Sequence, residues 1–548
     1  MRKVVRAFPL VALFFATGGL SRAAWAGEQG RHNCSSYGDT LHCQKRGGGT
    51  TSSSGSTGGT TTSSSGSTGG TTTSSSGSTG GTTASSSGSG GTTTSSSGSG
   101  GTTASSSGGT ASPGGATTPP GAVIPNAPVG AAPLAICPSG STVISGGSIS
   151  SALSSVASGG TLCLQGDSYT ISSTVAVSKP VTILGVGGPN IVSTSVGLVF
   201  NVSSSNVTIQ GLNITGPSNN RAGAGNSCSG TVAIVVGAVK SVGILNNTID
   251  TFECGIEFEN TDTFTANNNH LSNIVYVGIG TFPASNGTVD GNTVTNLNAA
   301  GTLKQNAYGL VASGPAGSPS SNINFTHNAV FYSPTWECFD NHGGNSISWQ
   351  YNYCLAGGAG NAAMNAPGNG GNPEVNGIIS NNQIDRGISP LNGYNSMVMV
   401  AGSGGSLTGG QVDNNLIAID GTNCYGALGP TVVASGNTCN HNPARITSIT
   451  ASAGSFTHGQ PTGVIATINV NMSLPFPPWM NSTYGFFNGW PGTLTITGSN
   501  PGEFQIVNGQ LLQAPGGTPA GTYSVTIVAT LPGLANSPQQ VTLSFTGN

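Results

Sequence analysis

SVGILNNTIDTFECGIEFENTDTFTANNNHLS, residues 241–272, says the same thing twice. Asn247-Thr248-Ile249 returns 22 residues later as Asn269-His270-Leu271, each time after a short run of β-formers. The Asn-x-aliphatic phrase recurs at Asn292-Thr293-Val294, Asn328-Ala329-Val330, Asn352-Tyr353-Cys354, Asn382-Gln383-Ile384, Asn415-Leu416-Ile417 and Asn437-Thr438-Cys439. The shortest steps are 22 to 24 residues, and longer ones read as the same unit with a loop inserted. A unit of two or three short strands cannot bury its apolar side alone, but stacked units can. Each coil would hydrogen-bond to the next at roughly 4.8 Å, giving parallel sheets around a narrow core. The repeated Asn suits the turn, because it tolerates left-handed dihedrals and can bond to the Asn of the next coil. Sequons such as Asn246-Asn247-Thr248 are on this reading mostly structural.

Upstream, Ile149, Ala152, Leu153, Val156 and Ala157 form one helical stripe. Ser148 or Ser150 can cap it, and Gly159-Gly160 ends it. Strands follow at TLCL, YTI and VTILGV. With the entry segment SSALSSVASGGTLCLQGDSYTI and the asparagine ladder, residues 136–442 resemble the right-handed parallel β-helix proteins of the pectin-lyase-like superfamily. The resemblance implies an all-β right-handed parallel β-helix solenoid with an N-terminal capping helix. For function it implies a range, since this solenoid serves lyases, hydrolases, epimerases and non-catalytic adhesins. After Arg445 the ladder stops. TLTITG, FQIVNGQLL, TYSVTIVAT and VTLSFTG alternate as strands between turns, which predicts a small C-terminal antiparallel β-sandwich over 443–548. GEFQIVNGQLL and AGTYSVTIVAT resemble bacterial immunoglobulin-like or cadherin-like modules, without the acidic calcium motifs of cadherins.

Residues 1–26 read as a signal peptide. Arg2, Lys3 and Arg6 form a positive start, Phe8–Leu20 is an apolar run too short to span a membrane, and Ala24-Trp25-Ala26 gives a cleavage pattern. The expected product is secreted or held at the cell surface, with no transmembrane segment after cleavage. Residues 27–46 are a short segment bearing Cys34 and Cys43. Residues 47–135 are a Gly/Ser/Thr repeat and then a Pro-rich stretch, too polar to offset the entropy of ordering, and predict a flexible tether.

Charged residues make up 5% of the 548, thirteen basic against sixteen acidic. No basic stripe exists for a nucleic-acid backbone, which argues against that partner. The ten cysteines fall into neighbouring sets: Cys34 and Cys43, Cys137 and Cys163, Cys228 and Cys254, Cys338 and Cys354, Cys424 and Cys439. Export favours disulfides, with sequential pairing the simplest scheme. The absence of C-x-x-C and the scattered histidines argue against zinc. Cys354 and Cys439 take the aliphatic slot of the repeat and should point inward.

Against this background WECFDNHGGNSI, Trp336–Ile347, places two acids and a histidine within six residues. If its strand aligns as Cys338–His342 over Gly255–Glu259, Asp340 and His342 sit where Glu257 and Glu259 sit, and all four face outward. If Glu337-Cys338 aligns with Glu253-Cys254 instead, Asp340 points inward. Asp340, His342 and Glu337 are the candidate catalytic residues: an imidazole for acid or base work near neutral pH, and carboxylates to orient it. Asp-x-His resembles the Asp-Pro-His-Asp motif of β-helix mannuronan epimerases and related lyases. Asp340 and His342 match it, while Asn341 stands for the Pro and Gly343 for the final Asp. The alternative is a polar turn closing at Gly343-Gly344.

Trp336 and Tyr351, in a region that also holds Trp349 and Tyr353, are candidates for stacking on sugar faces. Lys304 and Arg386 are the basic residues nearest by coil number. Glu253, Glu257, Glu259 and Asp262 form a second acidic cluster. It reads as a solvated face, or as a calcium site shared with an acidic sugar in the manner of pectate lyases, so calcium is the one cofactor in view. Glu257 and Asp340, three coils apart, would be roughly 14 Å from each other, too far for a glycosidase pair. Two functions stay open. One is binding and cleaving or modifying an extracellular polysaccharide or cell-surface glycan; the other is non-catalytic, adhesin-like display. A monomer is expected.

Overall fold

The computed structural model describes the strands His32–Tyr37 and Thr40–Lys45 and most of residues 136–547. Left out of the second region are 218–227, 298–306, 356–373 apart from Met364–Asn365, 387–407 apart from Met399–Val400, 420–430, 441–443, 458–463, 481–489 and shorter breaks including 334–336. The signal peptide, the tether, Trp336, Lys304 and Cys424 lie outside the described residues, and Arg386 is described by its backbone alone. His32–Tyr37 pairs antiparallel with Thr40–Lys45, which sets the backbone of Cys34 opposite that of Cys43.

From Thr142 to Asn440 the chain winds into a parallel β-helix, with the right-handed sense that parallel crossovers take. Each coil supplies up to three strands. Those of the first sheet include Val207–Gln210, Lys240–Leu245, Ser320–Thr326 and Gly344–Gln350. The asparagine turn leads to the second sheet, with Asn213–Thr215, Ala329–Phe331, Tyr353–Leu355 and Leu416–Ile419. The third sheet holds Leu198–Val202, Val232–Val236, Tyr308–Ala312 and Phe339–Asn341. Thr248–Asn267 and His270–Asp290 bend through all three sheets without a break.

Because every coil keeps the same phase, each inward position stacks on its like. One column of the first sheet runs Ile183, Ile209, Ile244, Ala266, Val289, Phe325, Trp349, Ile379, Val412, and all of them are buried in one core. Phe325 and Trp349 stack with ring centroids 3.9 Å apart. The aliphatic slot of the repeat makes a second column, Ile214, Ile249, Leu271, Val294, Val330, Cys354, Ile384, Ile417, Cys439.

All eight asparagines of the repeat lie in one ladder. Asn247 Nδ2 donates to Asn269 Oδ1 at 3.0 Å, and the same bond links Asn269, Asn292, Asn328, Asn352, Asn382, Asn415 and Asn437 in turn at 2.9–3.0 Å. The second amide hydrogen goes to a backbone carbonyl of the neighbouring coil, as from Asn328 to Val289 at 2.8 Å. The left-handed dihedral falls elsewhere than expected. It belongs to the residue before each ladder position: Asn246, Asn268, Gly291, His327, Tyr351, Asn381, Asn414 and Gly436. The ladder asparagine is held for its amide, and its predecessor makes the bend.

At the N-terminal end, helix Ile149–Ser155 adds Ile149 and Leu153 to the core. Ser148 Oγ accepts the Ser151 N–H at 3.2 Å, and the Lys179 ammonium donates to the Ser154 carbonyl at the other end. Disulfides join Cys137 to Cys163, Cys228 to Cys254 and Cys338 to Cys354. Cys439 is also disulfide-bonded.

After the ladder come two antiparallel sheets. One joins Ile446–Ala451, Val464–Met472, Gln510–Gln513 and Phe504–Val507; the other joins Thr493–Gly498, Gly521–Thr530 and Gln539–Gly547. Phe456, Phe504, Tyr523 and Phe545 fill the space between them. The same core reaches outward residues of the second solenoid sheet, including Phe331, Tyr353 and Leu355. Tyr353 is covered by Phe476 at 5.3 Å and fully buried.

Candidate functional site

The site is built by alternation along the third sheet. Ile256, Phe258, Ile279, Leu310 and Phe339 point into the core, so their neighbours point out. Glu257 pairs with Gly280, Gly280 with Val311, and Val311 with Asp340, making one outward column. Glu259 pairs with Phe282; the N–H groups of Ser313 and His342 bond the carbonyls of Thr281 and Ala312. His342 therefore continues the Glu259 column. Of the two registers open from sequence, the first is the one formed.

His342 Nε2 lies 2.7 Å from Asp340 Oδ2. The contact is not an aligned hydrogen bond, so both carboxylate oxygens keep acceptor capacity. Tyr308 meets the imidazole edge-on with centroids 6.0 Å apart, and Tyr276 meets Tyr308 the same way at 5.7 Å. Phe282 folds over Gly280; a Cβ at that position would come within 2.2 Å of the ring. Glu337 is buried at the entry to the Asp340 strand, where its carbonyl accepts the Gly309 N–H at 3.2 Å.

The acidic cluster is not the solvated face that its charges suggest. Glu253, Glu257 and Glu259 are 2%, 3% and 4% exposed, close to Asp340 at 0% and His342 at 4%. Asp262 is the exception. It lies half-buried against Lys240 at 2.9 Å and accepts the Asn286 side-chain amide at 2.7 Å.

Burial shapes the protonation of this face. It pushes the Glu253 carboxyl up to about 7, with the N–H groups of Gly230 and Thr231 opposing the shift. Glu257 is raised well above the ordinary range, first by burial and then by Glu259 and Glu253 beside it. Tyr276 is raised by burial and then by the charges of Asp340, Glu257 and Glu253. One phenol thus feels carboxylates from both ends of the column.

Other sequence candidates lie apart. Tyr351 occupies the left-handed position of the asparagine turn, stacked on His327 at 5.5 Å, and does not join Asp340. Trp349 is in the core. Arg386 ends the second-sheet strand Gln383–Arg386. Tyr276, Tyr308 and Glu374 were not picked out from sequence. Tyr308 sits directly before a Gly-aliphatic pair, and Tyr276 two residues before one, a phase that marks the start of each third-sheet strand. Glu374 accepts the Asn341 amide at 2.9 Å and the Ile347 N–H at 3.2 Å, and burial raises its carboxyl to about 7. It fixes the residue between Asp340 and His342.

Among the described residues, one donor set on this face comes together: the Glu257 carboxylate with the two sulfurs of Cys228 and Cys254, all within 4.8 Å of one another. Those sulfurs form a disulfide, which offers no thiolate, and calcium takes oxygen ligands.

The chain matches no protein-family model and no curated protein. Among solved structures it is similar to an alginate lyase from Paenibacillus sp. str. FPU-7, at 14% identity over 55% of this chain and 99% of that one, with a TM-score of 0.37. It is similar to the catalytic unit of a GH87 α-1,3-glucanase from Streptomyces thermodiastaticus strain HF3-3, at 16% identity over 63% and 67%, with a TM-score of 0.43. A third is the Dettilon tailspike protein, at 13% identity over 72% and 89%, with a TM-score of 0.34. These likenesses are too remote to argue activity or substrate.

Proposed function

We propose that this is an exported β-helix protein that binds an extracellular polysaccharide along the third sheet and cleaves or modifies it there. One observation carries the reading: an Asp–His contact of 2.7 Å shares its two outward columns with Glu257 and Glu259. That supplies an imidazole for proton transfer, a carboxylate to orient it, and a second carboxyl whose protonated form burial favours. Asp340 and His342 are the central pair, with Glu337 as a third group. Three disulfides support export. Among the described residues no helix is long and apolar enough to cross a membrane. The paired C-terminal sheets are read as an immunoglobulin-like module.

A non-catalytic, adhesin-like role is the second reading. It is favoured by the burial of every acid and base on this face, none more than 4% exposed. The two readings separate on a panel of polysaccharides scored for new reducing ends and new unsaturated ends. Catalysis predicts that Asp340→Asn and His342→Ala each lower turnover by about 10²-fold or more at unchanged melting temperature. Glycan binding without any new chain ends and without any change in the sugar residues of the recovered polymer would replace the first reading by the second.

A further inference from the structure

The third-sheet face also carries information about what it binds. Its strands Leu198–Val202, Val232–Val236, the middle of Thr248–Asn267, the middle of His270–Asp290, Tyr308–Ala312, Phe339–Asn341, Met364–Asn365 and Met399–Val400 contain no Lys or Arg at any position. Five of the sixteen acidic residues of the chain, Glu253, Glu257, Glu259, Glu337 and Asp340, lie on or beside them. Among the described residues, the one base on this face, His342, already faces Asp340.

A second observation points to a ligand. Asp340 Oδ1 and Glu253 Oε1 are fully buried, and among the described residues no hydrogen-bond donor reaches either. Buried acceptors left in this way are costly, and a ligand that brings donors relieves the cost. Sugar hydroxyls donate. An ionised uronate carboxylate only accepts, and it would add like charge to a low-dielectric face.

We propose that the glycan taken by this face is uncarboxylated and rich in hydroxyls, such as a neutral glucan, mannan or galactan, with its hydroxyls donating to Asp340 Oδ1 and Glu253 Oε1. This rests on the polysaccharide reading above and narrows it. The same electrostatics turn away alginate and polygalacturonate unless a divalent cation bridges the two sets of carboxylates.

The test uses the full chain with EDTA present. Binding, by retention on insoluble polymer and by affinity electrophoresis, and turnover, by new chain ends, are measured on neutral glucans, mannans and galactans and on alginate and polygalacturonate. The expected result is binding or turnover of at least one neutral polymer tenfold or more above either polyuronate. Glu253→Gln should weaken that preferred polymer tenfold while leaving the melting temperature at pH 5 unchanged, because the amide oxygen still accepts from Gly230. Polyuronate binding or turnover in EDTA equal to the best neutral polymer overturns the inference and leaves the polysaccharide reading standing. No binding to any polymer removes both.

Discussion

Asn328 shows what one side chain carries in this molecule. Its Oδ1 accepts the backbone N–H of Asn292 at 3.0 Å and the Asn292 side-chain amide at 2.9 Å, while its Nδ2 donates to the Val289 carbonyl and to Asn352. Asn328→Ala takes the Oδ1 acceptor from the Asn292 backbone N–H, removes one of the bonds of the Asn292 side-chain amide and takes the Nδ2 donor from the Val289 carbonyl, all in the buried turn. At about 1–3 kcal/mol for each buried orphan, a loss of roughly 3–5 kcal/mol is expected. Asn324, exposed on the strand that leads into this turn, is the control, and its Ala variant should change stability by about 0.5 kcal/mol or less. Urea unfolding of the two variants checks the contrast; equal, small effects would show that the ladder amides are replaced by water. The ladder positions were readable because an amide used in every coil leaves the same letter at every coil. The bend was assigned one residue late. Asn246-Asn247 and Asn268-Asn269 place two asparagines together, and only Gly291, His327, Tyr351 and Gly436 show that the first of each pair is free to vary.

At the scale of elements, the third sheet depends on a column of glycines that the sequence shows only once its phase is known. Gly255, Gly278 and Gly309 follow Cys254, Val277 and Tyr308 at the corner where each strand begins. A Cβ on Gly309 would lie 2.5 Å from the Cys338 carbonyl and 2.6 Å from Val330 Cγ2, and one on Gly278 would lie 2.3 Å from the Gly309 carbonyl. Neighbouring backbones approach too closely there for any side chain. Gly309→Ala is expected to cost about 1–3 kcal/mol through overpacking and to shift the strand carrying Asp340 and His342. Gly237→Ala, with its nearest neighbour at 3.6 Å, should be tolerated. Thermal melts give the first outcome and glycan affinity the second; a Gly309→Ala protein with native melting and affinity would mean the corner has slack. Alternation alone left the Asp340 register open, because Glu253-Cys254 and Glu337-Cys338 look like equivalents. They are not: the strand of Asp340 aligns through Val311 and Gly280 to Glu257, so Cys338 stands in the glycine column. The insertions between second-sheet and third-sheet strands obscured this phase. The burial of the acidic face was equally hidden, since the packing that excludes water comes from residues distant along the chain, such as Tyr276 and Tyr308.

For the whole molecule, the join between solenoid and C-terminal sheets should make stability depend on pH. Asp385, on a second-sheet strand, is fully buried, and both of its carboxylate oxygens accept the Ala444 N–H, at 3.2 and 3.1 Å, where the chain leaves the solenoid. Burial raises its carboxyl to about 7, with the Ala444 N–H acting in the opposite direction, and its charge in turn helps raise the buried Tyr353 phenol. The unfolded value is about 3.9, so the folded state holds its proton more tightly. The stability this confers is fully present below about pH 4 and is lost as pH rises through about 7. About three pH units of displacement correspond to roughly 4 kcal/mol at most. Glu253 and Glu374, each also raised to about 7, act in the same direction over the same window. The chain should therefore melt at a higher temperature at pH 5 than at pH 8, opposite to a protein whose carboxylates are held by salt bridges. Asp385→Asn carries no charge to bury and keeps an oxygen for Ala444, so it should flatten the profile by raising the melting temperature at pH 8 more than at pH 5. Melting curves of both proteins between pH 4 and pH 9 decide the matter. A wild-type profile that climbs toward pH 8, or a variant with the same slope, would mean that Asp385 is ionised in the folded protein and that the join is held by its charge.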